Sequence, residues 1–289
     1  MTLSLFALQL LNGVEYGLLL FLVASGLTLV FGVLGVLNFA HGSFYMLGAY
    51  LAYWLAARTG SLLWAVLIGL PVMALLGWAV EKLAISRLYR RDHLSQVLLT
   101  YGLVLLFNEL QRTLFGNEVH GVATPRALTG SLSLGEMQSW PAYRIFTSVA
   151  CLSVALAMRQ VILHTRFGMR VRAGATNGEM VEALGIDVRR LFSVLFSAGT
   201  ALAALAGMLA APLTTVYPGM GESVLVVSFV VVVIGGIGSI KGAFAGAMLV
   251  GIADTFGKVL VPSVASAMVY AVMAAVLLWR PRGLLGEAR

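Results

Sequence analysis

The side chains able to do chemistry are few, and they sit inside apolar sequence. Asn38-Phe-Ala-His41-Gly42 sets an amide and an imidazole between two apolar runs. At membrane depth such groups are costly unless they face a cavity or a neighbouring helix. A helix starting there would aim free N–H groups at an anion such as a carboxylate. The alternative role for Asn38 is to cap that helix. Three acids lie within or at the edge of apolar runs: Glu15, Glu109 and Asp254. Asp254 has Lys258 at i,i+4 and reads as a helix-end ion pair. Glu109 lies between Asn108 and Arg112, which places it at the outer interface. Glu15 is deep within its run, and its role stays open: the titrating group of an ion-coupled transporter, a partner in an interhelical hydrogen bond, or a residue at an interfacial helix end. Asn38, His41, Gly42, Tyr45 and Glu15 together are the candidate lining of a substrate path.

Signals for covalent chemistry are missing. His41, His93, His120 and His164 are scattered without metal-ligand spacing. Neither H-E-x-x-H nor G-x-S-x-G occurs. The glycine-rich stretch from Gly235 to Gly246 contains Lys241 but lacks G-K-[ST], so it is no phosphate loop. No catalytic residue, metal or cofactor is expected, and any ATP chemistry belongs to a separate chain.

One polar stretch, 164–190, has its own local order. Thr176-Asn-Gly-Glu179 has capping-box spacing, and Gly185 stands where a left-handed residue closes a short helix. Met180, Val181, Ala183 and Leu184 give that helix an apolar side, and Asp187 is placed to cap the next one. A helix this short is marginal alone in water. Presented from a membrane domain between basic flanks, it suits docking into a groove of a cytoplasmic protein.

The elements that must carry these residues follow from composition. Of 289 residues, 60% are hydrophobic and 11% charged, and mean hydropathy is +0.95. A soluble domain has about 25% charged residues, so this is an integral membrane protein; soluble enzymes and nucleic-acid binders are excluded. Apolar runs at 40–57, 62–80, 94–111, 145–163, 190–212, 243–260 and 262–279 are each near the roughly 20 residues a spanning helix needs. Two more, 5–31 and 223–237, end at glycine breaks: Gly32 and Gly35, then Gly235, Gly236 and Gly238. The runs are uniformly apolar rather than alternating, which excludes a barrel, and the Val-rich 224–234 must be helical to satisfy its backbone in lipid. The fold class is an all-α polytopic membrane protein in one domain, 1–289, with eight or nine crossings and glycine-broken or re-entrant segments. Pro71 should kink its helix, Trp64 and Trp78 should anchor its two ends, and Cys151 reads as a small packing residue. The loop 112–144, with Gly116, Gly121, Pro125, Gly130, Gly135 and Pro141, should be polar and turn-rich. The two glycine breaks form a weak internal echo, the mark of a path built on broken helices, or else of close packing.

The formal net charge is +7. Lys82, Arg87, Arg90 and Arg91, the six arginines from Arg159 to Arg190, Lys241, and Arg280, Arg282 and Arg289 alternate along the chain with Arg58, Arg112, Arg126, Arg144 and Lys258. The richer set belongs in the cytoplasm, which puts the C-terminus inside and, with nine crossings, the N-terminus outside. No Lys or Arg precedes Arg58, so the first run is expected to stay as a membrane helix.

Several motifs carry a resemblance. The stretch from Gly26 to Tyr50 (GLTLVFGVLGVLNFAHGSFYMLGAY), Thr165–Ala173 (TRFGMRVRA), Glu182–Ile186 (EALGI), Val233–Ser239 (VIGGIGS) and Arg280–Gly286 (RPRGLLG) resemble the permease subunits of bacterial branched-chain amino-acid ABC importers. The resemblance is collinear over nearly the whole chain. It implies an ABC-importer permease fold in the inner membrane, a second homologous permease, two cytoplasmic ATP-binding subunits and a periplasmic solute-binding protein. It also assigns ATPase coupling to Asn177–Gly185, that is Asn177, Glu179, Met180, Val181, Glu182, Ala183, Leu184 and Gly185. Leu184 departs from the wider E-A-A pattern, where a second Ala stands. The family also serves urea, short-chain amides and other amino acids. Alternating access driven by the partner chains is the implied mechanism.

Overall fold

The computed structural model describes residues 3–89, 91–133 and 139–286. Arg90, Gly135 and Arg289, used above, lie outside them. The helices are α1 (Leu3–Leu29, continued by a π turn Val30–Leu34), α2 (His41–Thr59), α3 (Leu62–Leu83), α4 (His93–Phe115), α5 (Ala142–His164), α6 (Arg166–Thr176), α7 (Gly178–Ala183), α8 (Val188–Ala210), α9 (Met220–Gly235), α10 (Ile240–Leu260) and α11 (Ala265–Trp279). Among the described residues, five segments are long and apolar enough to cross a membrane: Leu3–Leu34, Leu62–Arg87, Ala142–His164, Val188–Ala210 and Ile240–Leu260. The Val-rich stretch is helical in α9, because in hydrocarbon its amides have no partner except their own carbonyls.

Packing directions follow from close pairs. Gly13 lies on Ile252, Gly17 on Met248 and Phe21 on Phe244, so α1 and α10 are antiparallel. Gly69 on Met208, Gly77 on Thr200 and Glu81 on Ser193 make α3 antiparallel to α8. Gly246 on Val231 and Gly242 on Gly235 do the same for α9 and α10. The helices therefore fall into two sets of matching order and opposite direction, α1–α4 and α8–α11. In each set a long helix is followed by a break, then a helix starting inside the bundle. The sets meet reciprocally. A Cβ on Gly26 would strike the Gly199 carbonyl and one on Gly199 the Gly26 carbonyl; Gly42 and Gly221 exclude each other's Cβ in the same way. This is an inverted repeat about an axis through those two contacts. The echo read from the sequence pairs other glycines: Gly32 touches Gly238, but one ends α1 and the other leads into α10.

Two loops differ from the sequence reading. The loop 112–144 is not turns alone: Ser131–Ser133 (β1) and Ser139–Pro141 (β2) pair antiparallel, and Trp140 is buried. A three-residue strand leaves no periodicity to read. The 164–190 stretch holds a second helix, α6, whose Arg172 donates to the Ile162 carbonyl at the end of α5. Pro71 does lie inside α3, and Cys151 is fully buried.

Candidate functional site

The centre of the molecule is where α2 and α9 begin. Both start without a side-chain cap, at Ala40 and Gly219, and their first turns touch backbone to backbone at Gly42 and Gly221. Only glycine permits that approach, since any Cβ would overlap a carbonyl. Asn38 does not cap α2: its backbone carbonyl accepts from the His41 N–H, while neither polar atom of its fully buried side chain has a partner. His41 donates from Nε2 to the Val23 carbonyl at 3.0 Å, because a carbonyl can only accept. Its buried Nδ1 is left without a partner, and its Cε1 lies beside Gly26. Tyr45 is buried one turn further along α2, where Gly207 packs on its carbonyl. Buried polar atoms with no partner are rare in folded proteins and mark a place for water or ligand. Asn38, His41, Gly42 and Tyr45 are thus brought together.

Glu15 is not with them. It is buried in the N-terminal half of α1, and Arg144 of α5 donates to its Oε2 at 2.7 Å. Arg144 also donates to Asn12 Oδ1 (3.1 Å), which accepts from Trp140 Nε1 (3.0 Å). The cluster clips β2 and the start of α5 to α1. Asp254 and Lys258 pair at 2.5 Å as the spacing indicated.

The 164–190 stretch is folded into a capped knuckle. Thr176 does not cap α7. It closes α6, its hydroxyl donating to the Arg172 carbonyl, and Asn177 is the cap, its side chain accepting from the Met180 N–H at 2.9 Å. Because α6 runs up to Thr176, the cap shifts by one residue. At the other end Ile186 N–H donates to Val181 and Gly185 N–H to Glu182, with Gly185 at φ +81°. That Schellman closure needs a residue free to enter the left-handed region. Met180 and Leu184 are 59% and 73% exposed, and Glu179, Glu182 and Ala183 are exposed with them. Val181 is not on that face: it is buried, with α6 and α8 packed on α7. Asp187 then caps α8 through the Arg190 N–H.

The glycine breaks gather at one end. Gly35 closes α1 at φ +69°, Gly236 and Gly238 have φ of +98° and +83°, and Gly32 meets Gly238. The segment after α11 returns to this point. The Leu284 and Leu285 N–H groups donate to the Ile234 and Gly235 carbonyls at 2.8 and 3.1 Å, capping α9.

Three partnerships were not found from sequence. Besides Arg144 with Glu15, Glu81 is wholly buried between α3 and α8 and accepts from Tyr89 (2.6 Å) and Ser193 (2.5 Å). Burial first, then that bond to Glu81, holds the Tyr89 hydroxyl above its usual range. The third is Asn108 of α4, which donates to Glu222 of α9 at 2.8 Å. Each joins residues on different helices, and no local pattern encodes it. Among the described residues no group of three His, Cys, Asp or Glu could hold a metal ion.

Comparison with known proteins fits this layout. Residues 9–278 match the family model for the branched-chain amino acid transport system permease component. The chain is 31% identical to the high-affinity branched-chain amino acid transport system permease protein BraD of Pseudomonas aeruginosa, over 96% of this chain and 95% of that protein. It is 32% identical to LivH, the permease protein of the same kind of system in Escherichia coli K12, over 98% and 96%. It is also 27% identical to LivM of that organism, over 93% of this chain and 68% of LivM. No solved structure matches it.

Proposed function

Since the chain belongs to the permease components of branched-chain amino acid transport systems, we propose that it is one of two permeases of an ATP-driven importer for branched-chain or related amino acids. The observation that carries this reading is α7. A free six-residue helix would not persist in water. Here it is capped by Asn177, closed by Gly185 and seated through Val181, so that Met180 and Leu184 stand out as apolar anchors with Glu179 and Glu182 around them. Such a knuckle fits a groove on a cytoplasmic ATP-binding subunit. The chain itself performs no covalent step. A periplasmic solute-binding protein delivers the solute, and a homologous permease of the kind E. coli LivM represents completes the membrane unit.

In this reading the protein lies in a bacterial inner membrane with α1 entering from outside, and α6, α7 and the C-terminus inside, which the arginine distribution supports. ATP binding and hydrolysis in the partners bias two states of the permease pair. Asn38, His41, Gly42 and Tyr45 belong to the path, at the meeting of the two repeats. Two half-helices there point their positive ends at one locus, which favours an anionic group such as a carboxylate. Glu15 leaves the path and serves as a structural ion-pair partner, which removes the basis for an ion-coupled transporter. The test is ATP hydrolysis and solute uptake by the chain reconstituted alone and by the co-expressed complex. ATPase activity only in the complex, with uptake dependent on the binding protein, supports the reading; uptake by the chain alone, driven by an ion gradient, overturns it. Binding assays on the solute-binding protein separate amino acids from urea and amides.

A further inference from the structure

A hollow of about 350 Å3 opens between α6 and the start of α8. Phe167 and Arg170 of α6 line it with Arg190, Leu191 and Val194 of α8, and Asp187 stands at its mouth. Its polarity changes along its length. Val194 lies one helical turn, about 6 Å, further along α8 than Arg190. Helix α6 runs beside it: Gly174 meets the Leu191 side chain, while Phe167 belongs to the end of α6 that leaves α5. One end of the hollow is therefore apolar, at Phe167 and Val194, and the other is basic, at Arg170 and Arg190. Asp187 is the one acid among the lining residues, and it is engaged: it accepts from the Arg190 backbone N–H and from Arg190 Nε, each at 2.9 Å. Both Arg190 Nη groups stay open, and Arg170 is exposed with no ion pair among the described residues.

The hollow sits at the edge of the bilayer. Helix α8 has 23 residues, about 35 Å, against roughly 30 Å of hydrocarbon, so its first turn reaches the headgroups. On the neighbouring α3, Lys82 lies over the Trp78 ring at 4.6 Å, an aromatic and basic pair suited to headgroup level. Glu81, between them in sequence, is bonded to Ser193, which sets Val194 at that same level. Beyond Val194, α8 goes on to expose Ala198 along its membrane span. A water-soluble subunit docked on α7 does not reach there.

We propose that this hollow holds an anionic phospholipid, its phosphate between Arg170 and Arg190 and one acyl chain laid past Phe167 and Val194 down the exposed side of α8. The guanidinium fork matches phosphate oxygens, and basic pockets beside membrane helices take anionic headgroups. A soluble phosphate would leave the apolar end unfilled. A zwitterionic lipid brings an ammonium that only Asp187, already engaged, could receive. The proposal depends on α8 spanning a bilayer and not on the importer reading.

The test is native mass spectrometry of the detergent-purified complex with added dioleoylphosphatidylglycerol or dioleoylphosphatidylcholine. The wild type should keep one phosphatidylglycerol at a collision energy that strips phosphatidylcholine. Arg170→Gln with Arg190→Gln should cut that retention at least fivefold. Arg87→Gln with Arg91→Gln, an equal loss of charge in another basic segment, should leave it within a factor of two. Glycerophosphoglycerol, the headgroup without its chains, should not displace the lipid at tenfold excess. Equal retention of both lipids, equal loss in both double variants, or displacement by the chainless headgroup each overturns the proposal. Arg170→Gln alone breaks no ion pair, so it decides the matter if the double variant does not assemble: retention should fall at least twofold with the ATP-binding subunits still bound. Unchanged retention, or departure of those subunits, would give the hollow no lipid or assign it to the protein interface, and either overturns the proposal.

Discussion

Replacing Arg144 with Met should destabilise the chain far more than removing both members of its ion pair. Glu15 is 2% exposed and Arg144 34% exposed, with N–O at 2.7 Å. Two charges about 4 Å apart attract by about 4 kcal/mol at an effective dielectric near 20. Removing one member of a fully buried pair costs about 3–5 kcal/mol, because the other charge is left desolvated. Arg144 is a third exposed, and water can reach its side of the pair, so the expected loss is about 2–3 kcal/mol. Asn12 keeps its bond from Trp140, which limits the damage to the carboxylate. Glu15→Gln in the Arg144→Met background removes the stranded charge and should recover at least half of the loss. The measurement is a double-mutant cycle on the thermal unfolding of the detergent-purified complex, with leucine uptake alongside. Glu15→Gln alone should retain uptake, since a structural partner need not titrate. A double variant no more stable than Arg144→Met would refute the assignment of the cost to Glu15. Loss of uptake in Glu15→Gln with the complex intact would return Glu15 to the path.

Leu184→Asp should abolish co-purification of the ATP-binding subunits, because it sets an unpaired charge in the docking face, whereas Val181→Asp should lower the yield of the permease itself, by several kcal/mol of buried charge. Gly42→Val and Gly221→Val should each prevent accumulation of folded protein, read by fluorescence size-exclusion chromatography, since either Cβ meets the other glycine's carbonyl; normal elution of both would refute the reciprocal contact. In a Cys151→Ala background, cysteine at 126 should react with an impermeant maleimide from outside and cysteine at 172 only after permeabilisation; the opposite pattern inverts the topology. Asn38→Leu and His41→Leu should each cut uptake more than tenfold in an assembled complex, and normal uptake would leave both as packing residues.

The membrane-sized helices were readable because lipid removes water as a competing partner, so uninterrupted apolar sequence had one outcome. That reasoning also turned the β-favouring valines of α9 into helix. Local caps at Asp187 and Gly185 were readable for the same reason of short range, and Thr176 misled by one position only because α6 was not foreseen. What could not be read depends on contacts between distant residues. Arg144 reaches Glu15 across 129 positions. Val181 turns inward while Met180 and Leu184 turn out, which depends on where α6 and α8 lie. The repeat was missed because its matched turns, His41-Gly42-Ser43 and Met220-Gly221-Glu222, share one glycine and little else. The structure draws attention to it only through the reciprocal overlap.

The bonds from Leu284 and Leu285 to the end of α9 have a consequence for biogenesis. The Ile234 and Gly235 carbonyls are buried, yet their partners are translated about fifty residues later. At ribosomal speeds of about 5–20 residues per second, α9 waits several seconds with its exit end unsealed. During that interval α10 and α11 must insert and return the chain to the side it left. A nascent chain cut short after Trp279 would keep two buried acceptors bare, at about 1–3 kcal/mol each, and would present quality-control proteases with a loosened helix end. The seal therefore reports that the whole hairpin of α10 and α11 has been threaded in the correct sense.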